Sequence, residues 1–470
     1  MNPQEIEKYF GWEVVRIDRN AQIISENEHR KIVKMQNGKI IYLPACPYLN
    51  YEEKQFLSLA LEVFRNNGWS EKFQNAEDFL HAIWKKERNY AVSKQNILAM
   101  LKILIGKHDI MQIFLDDELL EEIAVIGTGE EKPLYVFDPS FGWLETNFYF
   151  SNAEKAKNII NLLGQKSGKR ITLQNPKIDC SIQSGERVNA CVEPVCTNGP
   201  AITIRKFTNK NLTASKLAQK QAASFEQLAF LWLAMRSDCS VLVCGNTGSG
   251  KTTLLNALLS FVHKSERIIL VEETPEIKIA HKHTVSLTTA DNLEFGLQEL
   301  ITNTLRMRPD RLVIGEIRSK KEAQSYLDAL LSGQGKGCYA TFHAQNCLEA
   351  ARRLSNFGFI EEDICSVDLV IIQKRWTQYE DGKMSEKRKI VEIAEPAIED
   401  KLEMKKFFEW DFKKGKFCAK EQSTKVCEKI FRSFGLAGKD LENEIQSRAS
   451  FLQSIAHLKQ EEFFDAVQNY

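Results

Sequence analysis

The residues best suited to chemistry lie in SVLVCGNTGSGKTTLLNALLSFV, where Gly245, Gly250, Lys251 and Thr252 satisfy G-x-x-x-x-G-K-[ST]. The context is the one this motif needs, because an apolar strand precedes it and a helical pattern follows. Gly245, Gly248 and Gly250 allow the backbone to fold into a nest of N–H groups at the positive end of that helix. Such a nest surrounds a β-phosphate, and Lys251 adds a positive charge for the β- and γ-oxygens. The Thr252 hydroxyl can bind Mg²⁺. The candidate phosphate-binding set is Gly245, Asn246, Thr247, Gly248, Ser249, Gly250, Lys251, Thr252 and Thr253. A flexible Gly/Ser turn is the bland alternative, and the flanking strand and helix argue against it.

Three later segments each end an apolar strand. RIILVEETPEI presents Glu272 and Glu273, DRLVIGEIR presents Glu316, and GCYATFHA presents Thr341 and His343. Ligands of an open α/β sheet bind at the carboxyl ends of its strands, so these side chains can share one site with the phosphate loop. Taken singly, each has an ordinary explanation: a solvated strand end for the Glu272–Glu273 pair, a helix-dipole partner for Glu316, a satisfied buried histidine for His343. Behind one phosphate loop and in this order, they form a more improbable set.

The elements that must position these groups follow from the pattern of the chain. With 470 residues, two to four domains are expected. From about residue 223 to 395, apolar strands alternate with helices (SVLVCG, RIILVEE, DRLVIGEI, GCYATFHA, VDLVIIQK). That is the texture of an α/β domain, a mostly parallel sheet with helices on both faces. Upstream, residues 96–207 mix helix patterns (ILAMLKILIG, AEKAKNIINLLG) with strand-like runs (PLYVF, GERVNACVEPV, PAITIRKF), which reads as an α+β domain. Residues 1–95 read as a smaller α+β accessory unit. In it KIVKMQ and KIIYL flank Asn37-Gly38 as a hairpin, and Asn50 with Glu53 forms a capping box. The polar run 208–222 reads as a linker, and 396–470 as a charged extension with a strand pair and an amphipathic helix.

Bulk composition narrows the class. Lys+Arg and Asp+Glu are equal at 63 each, so no net field draws the chain to nucleic acid or anionic lipid. The 11 cysteines are scattered without a C-x-x-C pair, which argues against zinc ribbons and thiol–disulfide chemistry and suits a reducing compartment. The opening residues lack the apolar core of a signal peptide, and FEQLAFLWLAM is about half a bilayer span. The expectation is a cytoplasmic protein.

The string LRMRPDRLVIGEIR…EA…LLSGQGKGCYATFHA resembles the secretion ATPases of type II and type IV secretion, type IV pili and the archaellum. In that superfamily the P-loop is joined by an acidic box, a Walker B variant ending Gly-Glu and a histidine box, matched here by VEETPEI, LVIGEIR and ATFHA. SGERVNACVEPVCTNGPAITIRKF is similar to the N-domain strands that supply arginines to nucleotide, which fall on Arg187 and Arg205. The two ends of the chain look most like the archaeal branch. The family's Glu-Asp reads Glu272-Glu273, its Gly after Gly-Glu-x-Arg reads Ser319, and its Thr-Gly-His reads Ser332-Gly333-Gln334.

The resemblance implies a RecA-like motor closing as a homohexamer, with ATP and Mg²⁺ between the N-domain and the ATPase domain. It implies Glu272 as the base for the attacking water and Glu316 in the Mg²⁺ shell through water. The residues alone do not separate those two roles. Arg187 and Arg205 would spread charge on the transferring phosphoryl group, and His343 would register the γ-phosphate. Implied partners are a polytopic membrane platform protein and, indirectly, pilin-like or secreted proteins, with the motor peripheral at the cytoplasmic face. No nucleic-acid partner is expected. The competing readings are a DNA-translocating RecA-like ATPase and a non-hydrolysing structural ring subunit.

Overall fold

The structure, a computed structural model, describes residues 3–17, 21–67, 75–86, 92–182, 185–206, 212–289, 295–333, 335–380, 383–419 and 424–470. The chain divides into two compact units, Met1–Asn209 and Lys210–Tyr470.

The first unit is built on one nine-stranded sheet. The hairpin expected around Asn37-Gly38 joins strands Arg30–Lys34 and Ile40–Pro44, with Gly38 at φ 83° in the turn. Asn50 and Glu53 cap the helix Tyr51–Asn67 reciprocally, each N–H meeting the other's side chain at 2.9 Å. Strand Ile40–Pro44 then pairs in parallel with Gly142–Thr146, which belongs to the meander carrying Tyr135–Asp138 and Glu122–Ile126. The sheet continues through Ala201–Arg205 and Arg187–Cys191 to Lys177–Ser181.

Residues 1–95 and 96–207 are therefore one body rather than two. A buried ion pair fastens them: Arg30, 3% exposed, reaches Asp138 at 2.5 Å and Asp117 at 3.5 Å. Tyr42 donates to Asp117 at 2.9 Å. Removing one partner from a buried set of this kind costs about 3–5 kcal/mol, because the remaining charge is stranded.

In the second unit six parallel strands stand in the order Thr284–Thr288, Ile268–Glu272, Arg311–Ile317, Gly337–Phe342, Val241–Gly245, Leu369–Glu380. Antiparallel strands Lys383–Ile398, Leu402–Asp411 and Lys416–Ala419 extend it. Side chains alternate between two cores, as a sheet covered on both faces requires. Val241 and Val243 pack with Leu254, Leu258 and Trp232, whereas Leu242 and Cys244 pack with Ile301, Tyr326 and Ala350. Parallel sheet and two-sided helical cover agree with the α/β expectation.

Two boundaries differ from the sequence reading. The stretch 208–222 is not a free linker: Thr213 caps a helix, Ala214–Gln219, whose Ala214, Leu217 and Ala218 enter the core. Two of the three apolar residues on that face are alanines, so the polar side chains dominate its composition. Nor is 396–470 a separate extension. Its strands continue the main sheet, and Leu452, Phe463 and Val467 lie in the same core as Trp232. The Trp232 ring stacks on Phe261 at 5.3 Å and meets Tyr470 at 5.2 Å. The expected final helix is two, Gly438–Ser454 and Gln460–Asn469. Among the described residues, no helix is long and apolar enough to cross a membrane.

Candidate active site

Strand Val241–Gly245 delivers the chain to a tight loop, and helix Lys251–Leu259 leaves it. Gly248 (φ 72°) and Gly250 (φ 95°) are left-handed, the conformation that turns successive N–H groups inward. Gly245 is required for space instead. A Cβ there would lie 2.1 Å from the Gln373 carbonyl oxygen and 2.6 Å from Ser249 Oγ. Asn246 braces the loop, its Nδ2 donating to the Arg375 carbonyl and its Oδ1 accepting the Arg375 N–H, both at 3.1 Å. Ser249 is fully buried, and its Oγ is a polar atom without a hydrogen-bond partner. Lys251 is buried at the first helical position, with Nζ 3.5 Å from the Asn246 carbonyl. Thr252 and Thr253 are half-buried and Thr247 is exposed.

The acids stand at the same end of the sheet, on the two strands beyond Gly337–Phe342. Glu272 is 3% exposed, and its Oε1 accepts N–H groups from Glu276 at 2.9 Å and Ile277 at 3.0 Å. Burial pushes its carboxyl up to about 7, although those two donors pull the other way. Gly315 makes room for it, since a Cβ there would sit 3.1 Å from Glu272 Cγ.

The pairing register between Arg311–Ile317 and Gly337–Phe342 shifts between Ile314 and Ile317, so Gly315 and Glu316 oppose the single residue Thr341. Bulges re-aim side chains in this way. Thr341 Oγ1 donates to the Gly315 carbonyl at 2.6 Å and fixes the bulge. Glu316 meets His343 Nε2 at 2.6 Å through Oε1 and Arg318 at 2.5 Å through Oε2. Burial would raise this carboxyl, but Arg318, then His343 and Lys251, outweigh it and hold it below the usual carboxylate range. Burial and the Lys251 charge lower His343, against the pull of Glu316. The loop lysine, Glu316 and His343 thus act on one another. Arg318 also pairs with Glu273.

The structure brings Lys251, Glu272, Glu316, Thr341 and His343 to one end of the second unit's sheet. Arg187 and Arg205 lie in the first unit, directly opposite each other on antiparallel strands. The Ser319 that replaces a family glycine caps helix Lys320–Leu331, accepting the Glu322 N–H at 3.3 Å. Ser332 closes that helix and Gly333 follows at φ 62°; Gln334 lies outside the described residues. Sequence reasoning missed Gln373 and Arg375, which flank the loop on the side away from the acids. No motif marks them, and only the pairing of their strand with Val241–Gly245 brings them there.

The type II/IV secretion system protein family matches residues 167–434, more than half of the chain and all of this site's second-unit residues. The chain belongs to that family. Two uncharacterized proteins of Methanocaldococcus jannaschii are among the relatives of this secretion-family protein. One is 33% identical over 334 residues, covering 67% of this chain and 46% of the relative. The other is 32% identical over 367 residues, covering 75% and 64%. The chain therefore spans about half to two thirds of the length of these relatives. The type IV secretion system protein VirB11 of Bartonella quintana is 26% identical over 325 residues, covering 58% of this chain and 89% of that one.

Proposed function

We propose that this secretion-family protein hydrolyses ATP and works as a motor for protein secretion or for assembly of pilus-like or archaellum-like filaments. The observation that carries the reading is the contrast between two carboxyls behind one phosphate loop. Glu272, raised to about 7 by burial, is poised to accept a proton from water near neutral pH. Glu316, held low, stays anionic beside Lys251.

The loop suits a nucleotide. Its left-handed glycines make the nest, Lys251 is already buried there, and the unpartnered Ser249 Oγ adds a polar atom to the cradle. Thr252 and, through water, Glu316 would hold Mg²⁺, which supplies charge neutralisation across the β- and γ-oxygens. Glu272 orients and deprotonates the attacking water. His343, tied to Glu316, registers the γ-phosphate. By resemblance to the family, Arg187 and Arg205 supply positive charge to the transferring phosphoryl group. The family resemblance supports a homohexamer, docked peripherally on a polytopic membrane protein at the cytoplasmic face and moving pilin-like or secreted proteins indirectly.

An ATPase assay with and without single-stranded DNA tests this reading. Hydrolysis independent of DNA is the expected result. Strong DNA stimulation would favour a translocase, and no turnover in the assembled ring would favour a structural subunit.

A further inference from the structure

The strand Leu369–Glu380 runs beside the phosphate-loop strand with Gly245 opposite Gln373, so its next residues pass along the loop. Gln373 and Arg375 alternate onto one side of that strand. Gln373 is 3% exposed, and its Oε1 is buried without a hydrogen-bond partner. Its Nε2 lies 3.7 Å from the point a Cβ on Gly250 would occupy.

Arg375 comes closer still. Its Nη1 lies 2.6 Å from the corresponding point on Gly248, so the guanidinium packs directly against the loop at Gly248. The backbone at Arg375 is clamped by Asn246, a residue of the loop itself. Side-chain and main-chain contacts thus lock this arginine to the phosphate loop, although 129 residues separate it from Asn246.

The guanidinium is not idle. Glu386 on the next strand accepts from Arg375 Nε at 2.6 Å. Arg388 stands directly opposite Arg375 in the register and shares the same carboxylate at 2.8 Å. Directly opposed like charges on paired strands repel, and one carboxylate between them offsets that repulsion. A phosphate group arriving at the nest presents a second anion to the Arg375 guanidinium, whose planar fork matches a phosphate bidentately.

We propose that Arg375 is a further phosphate-contacting residue of this loop, gripping the nucleotide's di- or triphosphate, and that Glu386 holds it in reserve until nucleotide binds. The proposal rests on the reading of the loop as a nucleotide site. Exchange of one anion for another also gives the paired strands Leu369–Glu380 and Lys383–Ile398 a different set of contacts in the empty and loaded states, so the strand pair senses occupancy.

The test is the affinity of the full chain for a fluorescent ADP, measured for the native protein, Arg375→Ala, Arg375→Lys and Glu386→Gln, with melting curves to confirm folding. Arg375→Ala should weaken binding about tenfold and Arg375→Lys should recover only part of it. Glu386→Gln should tighten binding about threefold, because the competing anion is gone. Opposite signs are the signature of this arrangement. A purely structural ion pair would make both substitutions weaken binding or leave both without effect, and either result would overturn the proposal. A native chain that binds no ADP would instead sink the nucleotide reading itself, and this inference with it.

Discussion

His343 Nε2 lies 2.6 Å from Glu316 Oε1, while Arg318 holds the other carboxylate oxygen. Glu316 is thus fixed between two donors and kept anionic, which suits an outer ligand of Mg²⁺ better than a proton acceptor. Glu316→Gln should keep nucleotide binding but raise the Mg²⁺ concentration needed for half-maximal hydrolysis about tenfold. Titrating Mg²⁺ in a steady-state assay measures it. An unchanged Mg²⁺ requirement would remove Glu316 from the ion's shell.

The Glu272 carboxyl, raised by burial to about 7, gives a pH signature. As the proposed base Glu272 must be deprotonated, so the rate should climb as pH rises through about 7 and level off above it. Stability runs the other way. Between 4.5 and about 7 the folded state holds the proton and the unfolded state does not. The stabilising effect is fully present below the unfolded value and lost as pH rises through the folded one. Glu272→Gln has no such titration, so above neutrality it should be more stable than the native chain by about 2 kcal/mol. Melting curves at about pH 5 and about pH 8 compare the two; the native chain matching the variant at both would contradict the raised value.

Gly315 is predicted to matter through Glu272 rather than through any contact of its own. Gly315→Ala would place a methyl 3.1 Å from Glu272 Cγ and displace the carboxylate by a few tenths of an ångström or more. Hydrolysis should fall about tenfold while nucleotide affinity stays near native, since a small misplacement acts on the reacting geometry. Full activity in this variant would mean that the Glu272 position is not critical.

Arg187 faces Arg205 across paired strands, with Glu122 on the far side of Arg205. In the proposed function both arginines lend charge to the transferring phosphoryl group, where it counts most in the transition state. Either residue changed to Ala should lower kcat by about 10³ with little effect on ATP affinity. Lys should rescue poorly, and stability should move by no more than about 0.5 kcal/mol. A fragment of residues 210–470 that hydrolyses ATP as fast as the full chain would make these arginines structural.

Much of this was legible in the sequence for a physical reason. Gly245, Gly250, Lys251 and Thr252 make contiguous chemistry, and the apolar runs before Glu272, Glu316 and His343 are fully buried strands whose ends fall in one layer. What was not legible depends on pairing register. Nothing in spacing tells that Arg187 stands opposite Arg205, or that Arg375 lies over Gly248. The helix Ala214–Gln219 hid because alanines bury a face without looking apolar in bulk. Residues 1–207 differ from the two-domain reading because two strand pairings join distant segments: Ile41 with Glu145 and Tyr42 with Thr146, and Glu13 with Tyr149 and Val14 with Phe148.

Cleavage of ATP with Glu272 as the base is what we propose for this chain. Its most direct test is a single-turnover measurement of phosphate release from Mg²⁺–ATP at about pH 8, where Glu272 is deprotonated, by the native chain and by Glu272→Gln. The native chain should release phosphate, and Glu272→Gln should bind ATP with affinity within about threefold of native yet cleave it at least about 100-fold more slowly. Near-native cleavage by Glu272→Gln, or none by the native chain, would contradict the account.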